Sequence, residues 1–309
     1  MPSAAATGAR ANVTLQGRSI SLSNLDKVLY PKAGFTKGHV IDYYARAAKV
    51  LLPHLKDRAL TLKRYPNGVE REFFYEKRCP SFRPPWVKTA PIWSSRLQER
   101  ISFCLANDLP TLVWAANLAD LELHTSLARF QNPQRPTAMV FDLDPGPGAD
   151  IIDCAKTALW LREFLASHEL ECFPKTSGSK GLQIYVPLNT AVTFDETKAF
   201  ARHTAETLTA NYPDRVLYRM EKSLRKDKVF IDWSQNDDHK TTVCAYSLRA
   251  MERPTVSTPL TWKEVQAAAK KRAPGDLLFE SQQVLQRIEE DGDLFKPVLT
   301  LRQKLPRLT

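Results

Sequence analysis

Between residues 136 and 250, short strand patterns alternate with longer runs of helical periodicity, and this alternation constrains the fold more than any other feature of the sequence. PTAMVFDLDPG predicts a central strand, CFPKTS and LQIYVPL predict two more, and KVFIDWSQN and TTVCAYSLRA a further two. DIIDCAKTALWLREFLASHEL and FDETKAFARHTAETLTANY predict helices between them. Helices interleaved with strands predict an α/β (mixed α+β) domain whose central β-sheets are flanked by helices.

The N-terminal part of the chain carries similar local patterns. Apolar residues alternate between positions 13 and 22, which predicts a short hairpin. TKGHVIDYYARAAKVLLPHL has helical periodicity, with Thr36 as the candidate N-cap. RYPNGVEREFFYEKR predicts strand, turn and strand around Asn67-Gly68, and LPTLVWAANLADLELHTSLARF predicts a buried helix that leads into a strand.

The 309-residue chain shows no internal repeat or low-complexity linker, so a single large domain is the simpler interpretation. We expect residues 1–12, which are small and polar, to be a flexible leader. Residues 13–295 form the predicted domain. Residues 296–309 are basic and punctuated by proline, and are expected to be a tail or an interdomain linker.

Composition narrows the functional classes. Lysine and arginine outnumber acidic residues 44 to 34, and the resulting net charge of +10 is compatible with phosphate-rich partners such as nucleic acid. The five cysteines are scattered without a C-x-x-C pair, which argues against a disulfide framework or a zinc site and for a reducing compartment. Because no signal peptide or long apolar run is present, we expect a cytoplasmic protein.

Asp142 and Asp144 end the strand predicted in MVFDLDPGPG. Side chains alternate in a strand, so these two carboxylates share one face, where a divalent cation would relieve their repulsion. If KVFIDWSQN forms a neighbouring strand, Asp232 completes a three-carboxylate set able to hold two hard cations. The alternative is that each of these acids simply faces solvent next to a turn.

TSGSKGLQIYVPL combines small residues, hydroxyl donors and a lysine, which suits a triphosphate. Its spacing is not that of a Walker loop, and a plain lysine-bearing hairpin turn is the alternative interpretation. His124 lies in an apolar strand pattern typical of a core histidine. Arg225 and Arg249 flank predicted strands and could neutralise phosphates or lie on a solvated surface.

Taken together, VFDLDPG, TSGSKGLQIYVPL, VFIDWSQN and YSLR, in this order, resemble the polymerase domain of bacterial ATP-dependent DNA ligase D, a member of the archaeo-eukaryotic primase superfamily. NLDKVLYP, DYYA, KRYPNG and FFYEK extend the resemblance over residues 13–295. It implies a primase-like catalytic core and a DNA-directed nucleotidyltransferase that fills gaps and extends ends in non-homologous end joining, with a preference for ribonucleotides.

The resemblance also implies specific sites, cofactors and partners. Asp142, Asp144 and Asp232 match the catalytic metal ligands, for two Mn²⁺ or Mg²⁺ ions, and the substrates are NTPs or dNTPs. The matched nucleotide-binding residues are His124, Ser177, Lys180, Gln183, Arg225 and Arg249. The matched DNA-binding residues are Lys27, Lys37, Lys63, Arg64, Phe74 and Tyr75. The implied partners are Ku, a ligase domain and broken or gapped DNA, with association with the nucleoid during repair.

Lys27 and Lys37 match positions that hold the 5′-phosphate of a gap, and Phe73 to Tyr75 match positions that stack on the template. By sequence pattern alone these aromatic residues would be assigned to the core. Gln183 departs from the family's usual S-G-x-K-G-x-H pattern, since a neutral amide cannot carry a proton or positive charge to a phosphate. Two alternatives therefore stay open: a catalytically weak DNA-end-binding module, and a stand-alone primase-polymerase.

Overall fold

The computed structural model of this chain describes residues 10–94 and 97–307. Its strands, in chain order, are β1 (Arg10–Leu15), β2 (Arg18–Ser23), β3 (Val28–Tyr30), β4 (Phe35–Thr36), β5 (Leu60–Arg64), β6 (Phe74–Glu76), β7 (Thr89–Ser94), β8 (Glu99–Cys104), β9 (Asp120–Thr125), β10 (Ala138–Pro145), β11 (Phe173–Thr176), β12 (Leu182–Pro187), β13 (Val216–Leu217), β14 (Val229–Asp232) and β15 (Thr242–Val243). Its α-helices are α1 (Lys37–Leu55), α2 (Leu109–Asn117), α3 (Ile151–Ser167), α4 (Phe194–Asn211), α5 (Trp262–Lys271), α6 (Ser281–Asp291) and α7 (Lys296–Thr300).

Two larger sheets organise the described residues. The first has the strand order β11-β12-β10-β14-β13, antiparallel except for the parallel pair β13 and β14. The second has the order β15-β9-β5-β8-β7, with β6 also paired to β5. Strands β1 and β2, and β3 and β4, form small separate sheets. The predicted α/β (mixed α+β) class, with central sheets and flanking helices, is confirmed.

Strand β10 lies at the middle of the first sheet because most of it is apolar on both faces. Odd-numbered residues from Met139 to Leu143 are fully buried in a cluster with residues of α3 and α4. Val140 points the other way, into the cluster that contains α1, α2 and the second sheet. Asp142 and Asp144 continue this second face beyond the apolar contacts. The strand therefore delivers both carboxylates to the rim of the packing between the sheets.

Local sequence signals set several of these elements. The predicted hairpin is the antiparallel pair β1 and β2, and α1 begins after the predicted cap, where Thr36 Oγ1 accepts a hydrogen bond from His39 N at 3.3 Å. Asp150 caps α3 by accepting a hydrogen bond from Ile152 N at 2.8 Å. The hairpin and the Thr36 cap join residues a few positions apart, which is why the pattern alone predicts them.

Two of the predicted strand patterns differ in detail from the structure. Strands β5 and β6 pair as expected, but the pairing starts at Arg64 and Phe74. The expected turn is present, since Gly68 N donates to Tyr65 O at 3.0 Å, but it is one part of a longer loop between the strands. In TTVCAYSLRA, the strand covers only Thr242–Val243. It ends because the chain turns at Tyr246, whose φ is 66°.

The prediction of a chain without a disulfide is wrong. Cys79 and Cys104 are joined, with their Cα atoms 4.9 Å apart, whereas the other cysteines are buried thiols. The bond links the segment after β6 to the end of β8, and Cys79 N also donates to Ser102 O at 2.7 Å. Strand pairing brings these two cysteines together across 25 residues of sequence, which cysteine spacing alone does not reveal.

The ends of the chain are partly described. Residues 1–9 of the expected leader lie outside the described residues, and β1 begins at Arg10. In the expected tail, Val298 is buried and Gln303 Nε2 donates to Glu171 O and Pro187 O at 3.0 and 2.7 Å. Residues 296–303 therefore pack against the end of β12 and the loop that follows it. In the part of the chain that the structure describes, no helix is both long and apolar enough to span a bilayer.

Candidate active site

Four polar residues form a row across the first sheet. Asp142 of β10 lies opposite Asp232 of β14 on one side and opposite Gln183 of β12 on the other. Gln183 in turn lies opposite Lys175 of β11. Asp144 is two residues beyond Asp142 on the same face. The predicted meeting of Asp232 with the other two carboxylates thus follows directly from the strand register.

The carboxylates destabilise one another's charged forms. Burial, the charge of Asp144 and that of Asp232 raise the pKa of Asp142 to about 7, against the lowering effect of a hydrogen bond from Gln183. Burial and the charge of Asp232 likewise raise the pKa of Asp144, while Arg225 and Arg249 lower it. Clustered, partly buried carboxylates of this kind are the oxygen donors that Mg²⁺ and Mn²⁺ prefer, so the donor set fits divalent cations.

Asp232 is held by its own neighbours. Its Oδ1 accepts hydrogen bonds from Ser234 N at 2.9 Å and Ser234 Oγ at 2.5 Å, and its Oδ2 accepts one from Gln235 Nε2 at 3.2 Å. Lys240 Nζ lies 4.0 Å from Oδ2. These contacts turn the Asp232 carboxylate toward the segment that follows β14.

Asp237, Asp238 and His239 form a group of three potential metal ligands whose donor atoms all lie within 4.8 Å of one another. Within residues 10–94 and 97–307, the carboxylates of the strand row do not meet this distance criterion. His239 Nε2 lies 2.8 Å from Asp237 Oδ1, and Lys198 Nζ donates to Asp237 Oδ2 at 2.5 Å. Ion pairs among these side chains account for this surface group without a cation.

The SGSKG segment forms a tight loop beside the carboxylates. Ser177 Oγ accepts a hydrogen bond from Gly181 N at 3.1 Å, and Gly178 has a φ of +69°, a conformation that favours glycine. Arg249 Nη1 donates to Ser177 O and fastens the loop from outside. Lys180 is exposed at the tip. The Ser177 hydroxyl proton and the Lys180 ammonium group are thus free to donate to an anion.

Gly181 lets this loop approach β10, which leads to a testable prediction. A Cβ atom at position 181 would lie 2.1 Å from Leu143 O, so Gly181→Ala should force the loop away from the strand that carries the carboxylates. We expect a loss of stability of about 2 kcal/mol in urea unfolding and a higher nucleotide KM. Gly275→Ala is the matched control, because its Cβ would meet nothing within 4 Å. Equal behaviour of the two variants would contradict this account.

An open cleft collects seven of the nine predicted catalytic and nucleotide-binding residues, and Asp232 and Arg225 are the two that do not line it. The predicted residues that line it are His124, Asp142, Asp144, Ser177, Lys180, Gln183 and Arg249. Ser179, expected from the sequence as a hydroxyl donor of the phosphate loop, also lines it. Residues that the sequence interpretation did not single out complete the lining: Gln235, Thr241, Thr242 and Val243. We call this the carboxylate cleft. It brings acidic groups for cations and basic groups for phosphates to the same opening.

Arg225 occupies a different position from the other predicted nucleotide-binding residues. Its Cζ lies 3.7 Å from the ring centroid of Phe230, and its Nη2 donates to Met220 O at 3.1 Å. It is not among the residues that line the carboxylate cleft. Its charge nevertheless opposes the rise in the pKa of Asp144, so it lies close enough to act on that carboxylate.

Sequence interpretation missed Glu122, a buried carboxylate on β9 that is 2% exposed. Its Oε2 lies 2.9 Å from His124 Nε2, 3.1 Å from Lys63 Nζ and 3.3 Å from Arg249 Nε, and its Oε1 accepts a hydrogen bond from Ala250 N at 3.1 Å. Burial raises its pKa, but the hydrogen bond from His124 and the charges of Arg249 and Lys63 outweigh this and hold the pKa well below its usual range. The available signal in the sequence was the spacing in LELH, which places Glu122 and His124 on one face of a strand.

Lys175 is a second missed residue, and it explains how Gln183 is oriented. Fully buried, Lys175 donates through Nζ to Gln183 Oε1 and to Ser257 Oγ, both at 2.6 Å. Burial lowers the pKa of Lys175 to about 7, against the raising effect of Asp142. Because the Gln183 oxygen accepts from Lys175, its amide NH₂ is left to donate to Asp142. Gln183 therefore bridges a buried lysine and a carboxylate.

Lys27 and Lys37 lie next to each other, as the matched positions required. Lys37 N donates to Lys27 O at 2.8 Å, and burial together with the charge of Lys27 lowers the pKa of Lys37 to about 8. Lys37 Nζ donates to Ser23 Oγ and Asn117 O at 3.2 and 3.1 Å, whereas Lys27 Nζ donates to Asn67 Oδ1 at 3.0 Å. Neither lysine lines the carboxylate cleft.

The aromatic residues before and in β6 are exposed. Phe73, Phe74 and Tyr75 are 47%, 43% and 56% exposed, so the assignment to the core from pattern alone is wrong. Lys63 Nζ lies 4.6 Å from the Phe73 ring centroid and 5.6 Å from that of Tyr75, and Arg64 Cζ lies 5.0 Å from that of Phe74. Three solvent-facing rings with cations packed against them form what we call the aromatic platform.

Comparisons with known proteins agree with this geometry. The family model described as the LigD primase-polymerase domain matches residues 36–295. The multifunctional non-homologous end joining protein LigD of Mycolicibacterium smegmatis is 41% identical over 281 residues, which cover 90% of this chain and 36% of that protein. The bifunctional non-homologous end joining protein LigD of Bacillus subtilis is 34% identical over 276 residues, covering 88% of this chain and 43% of that protein.

Among solved structures, the polymerase domain from Mycobacterium tuberculosis ligase D in complex with DNA superposes with a TM-score of 0.84 and 38% sequence identity. The match covers 92% of this chain and 99% of that one. This chain spans well under half the length of the LigD relatives above. The match over residues 36–295 and the shared fold establish that the chain belongs to the LigD primase-polymerase domain family.

Proposed function

We propose that this domain is a DNA-directed, primase-type nucleotidyltransferase that fills gaps and extends DNA ends in non-homologous end joining, with a preference for ribonucleotides. The observation that carries the proposal is the register that sets Asp142 opposite Asp232, with Asp144 on the same face as Asp142. Asp142 and Asp144 line the carboxylate cleft together with Ser177 and Lys180. Membership of the LigD primase-polymerase family supports it.

In this proposal Asp142, Asp144 and Asp232 hold two divalent cations, Mn²⁺ or Mg²⁺. When bound, such cations lower the pKa of a primer 3′-hydroxyl and neutralise the triphosphate during an in-line displacement. The protein's part is to keep the ligands in place. Gln183 donates to Asp142, and the contacts of Ser234 and Gln235 fix Asp232. The carboxylates therefore keep their orientation during nucleotidyl transfer.

The nucleotide's phosphates are proposed to contact the basic side of the carboxylate cleft. Ser177 and Lys180 present a hydroxyl and an ammonium group from the loop, and Arg249 adds a guanidinium beside them. His124 lines the same cleft and is oriented by Glu122. Arg225 acts from behind Asp144 in this arrangement, as a positive charge that moderates the repulsion between carboxylates.

DNA is proposed to be held at two further places. The aromatic platform would stack on template bases, because exposed rings bind bases without sequence preference. Lys27 and Lys37 would bind the 5′-phosphate across a gap. Burial and the charge of Lys27 lower the pKa of Lys37, and the anion would offset both effects on the Lys37 ammonium group. The proposed partners are Ku and a ligase domain, and the ligase domain would belong to the same, longer polypeptide. The proposed place of this association is the nucleoid.

A catalytically weak DNA-end-binding module is the main alternative, and Gln183 was its only support. In the structure Gln183 accepts a hydrogen bond from Lys175 and donates one to Asp142, which favours a working site. A stand-alone primase-polymerase shares the same site. Synthesis on an unprimed template would favour that alternative over gap filling.

Incorporation of a single nucleotide into a short gap tests the proposed function. We expect ribonucleotides to be used in preference to deoxyribonucleotides, Mn²⁺ or Mg²⁺ to be required, and a 5′-phosphate to be preferred over a 5′-hydroxyl. The 5′-phosphate preference should disappear in Lys27→Ala. Tight binding of gapped DNA without any incorporation, in either metal, would overturn the proposal in favour of the end-binding module.

A further inference from the structure

Three arginines without counter-charges line a second cleft, at the opposite end of β10 from the carboxylates. The cleft lies between the chain around residues 129–137, the loop after β12 and the segment after α7, and Arg129, Arg135 and Arg302 line it. All three are exposed, and their guanidinium groups make no hydrogen bond or ion pair with any described residue. No acidic residue lines this arginine cleft.

Two of these arginines flank one short bridge. Ala128 and Pro136 form an isolated antiparallel bridge, and Arg129 and Arg135 are its immediate neighbours on the loop side. Two guanidinium groups that line the same cleft repel each other. An anion between them would turn this cost into two charge-assisted hydrogen bonds.

The third arginine is brought in by the C-terminal segment. Asn189 Nδ2 donates to Leu301 O at 2.7 Å, and Thr190 Oγ1 donates to Gln303 O at 2.9 Å. These bonds fasten the residues on both sides of Arg302 to the loop after β12. Arg302 lies beyond residue 295, where the family match ends, so this side of the arginine cleft is built by residues outside that match.

A groove adjoins both the arginine cleft and the carboxylate cleft. Trp93, Ile101 and Phe103 form an apolar part of its lining, and Lys240 and the acidic Asp238 also line it. Thr241 lines both the groove and the carboxylate cleft, and Arg129 lines both the groove and the arginine cleft. Aromatic residues therefore lie between the carboxylates and the three arginines.

We propose that the arginine cleft binds backbone phosphates of a DNA strand that runs along this groove to the carboxylate cleft. Guanidinium groups make bidentate hydrogen bonds to phosphate oxygens, and aromatic side chains stack on bases without regard to sequence. The arginines thus suit the backbone of a single strand, and the aromatic residues of the groove suit its bases. The inference rests on the proposed function, since it takes DNA as the ligand. An acidic peptide segment is the competing ligand, and the groove's aromatic wall favours the nucleic acid.

The test measures binding of fluorescein-labelled oligothymidylates of about 4 to about 16 nucleotides by anisotropy at several salt concentrations. Wild-type affinity is expected to rise with length until the strand reaches the arginine cleft. Arg135→Glu with Arg302→Glu should remove this gain, weaken binding of the longest strand about tenfold, and lower the slope of log affinity against log salt by about 1.4. Binding of the shortest strand should not change.

Lys263→Glu with Lys270→Glu is the matched control, because both lysines are exposed on α5, which packs on α3 away from the groove, and the charge change is the same. The proposal would be overturned if the double arginine variant lost the same affinity at every strand length, or if the control lost as much affinity as the double arginine variant. Either result would show that only the net charge of the protein matters. If the double arginine variant lost binding of poly-L-glutamate but bound oligonucleotides as the wild type does, the ligand would be an acidic peptide and the proposal would be overturned. A different outcome would count against the proposed function alone. In that outcome the double arginine variant loses the gain of affinity with strand length, but the wild type does not fill gaps.

Discussion

Replacing Asp142 by asparagine is expected to lower metal-dependent nucleotide incorporation by about a thousandfold or more, while the fold remains intact. The reason is that Asp142 is the central member of the row, opposite Asp232 and two residues from Asp144, so under the proposed function its loss removes a carboxylate from the middle of the metal-binding set. A neutral amide also removes a buried charge that repels the other carboxylates. The metal-free variant should therefore be at least as stable as the wild type.

Single-nucleotide incorporation and thermal unfolding, each with and without Mn²⁺, check this prediction. Mn²⁺ should raise the Tm of the wild type by binding the folded state and should have little effect on Asp142→Asn. Asp42→Asn, on the exposed surface of α1, is the control for loss of an acidic residue. Incorporation at more than about a tenth of the wild-type rate in Asp142→Asn would exclude a metal-ligand role for this residue.

Replacing Glu122 by glutamine is expected to have the second large effect, a loss of about 3–5 kcal/mol in the free energy of unfolding at pH 7. Glu122 lies within 3.3 Å of cationic nitrogens of both Lys63 and Arg249, and within 2.9 Å of His124 Nε2, so a neutral amide leaves partly buried positive charges without a counter-charge. Arg249 and His124 should also shift in the carboxylate cleft, so the nucleotide KM should rise more than kcat falls.

The effect of Glu122→Gln should depend on pH with a definite sign. Because the folded-state pKa of Glu122 is depressed, its contribution to stability is present above its unfolded pKa and is lost as the pH falls through the folded value. The stability difference between wild type and variant should therefore be full at pH 7 and shrink progressively below about pH 4. Urea unfolding at a series of pH values measures this.

Glu206→Gln is the control for that series, since Glu206 pairs with Arg202 on the exposed surface of α4 and should cost less than about 1 kcal/mol. A Glu122→Gln variant as stable as this control, or a difference that grows on acidification, would show that the buried carboxylate does not hold the surrounding cations.

Much of the fold was predictable because its signals are local. The alternation in MVFDLDPG places both acids on one face, Thr36 caps α1 from one residue away, and the glycines of SGSKG allow a tight loop. Most of the proposed nucleotide-binding residues were identified through the resemblance, since several short strings in a fixed order carry it. Gln183 could be located in this way but not interpreted, because its partner Lys175 is on another strand.

By itself, the sequence determined which residues share a face and which loops can bend, because strand period and turn chemistry act over a few residues. Only the tertiary structure decided that Asp232 lies opposite Asp142, that Cys79 pairs with Cys104, and that Glu122 meets Arg249. Those contacts join residues 25 to 127 positions apart, and their geometry depends on strand register and sheet packing that no local pattern encodes.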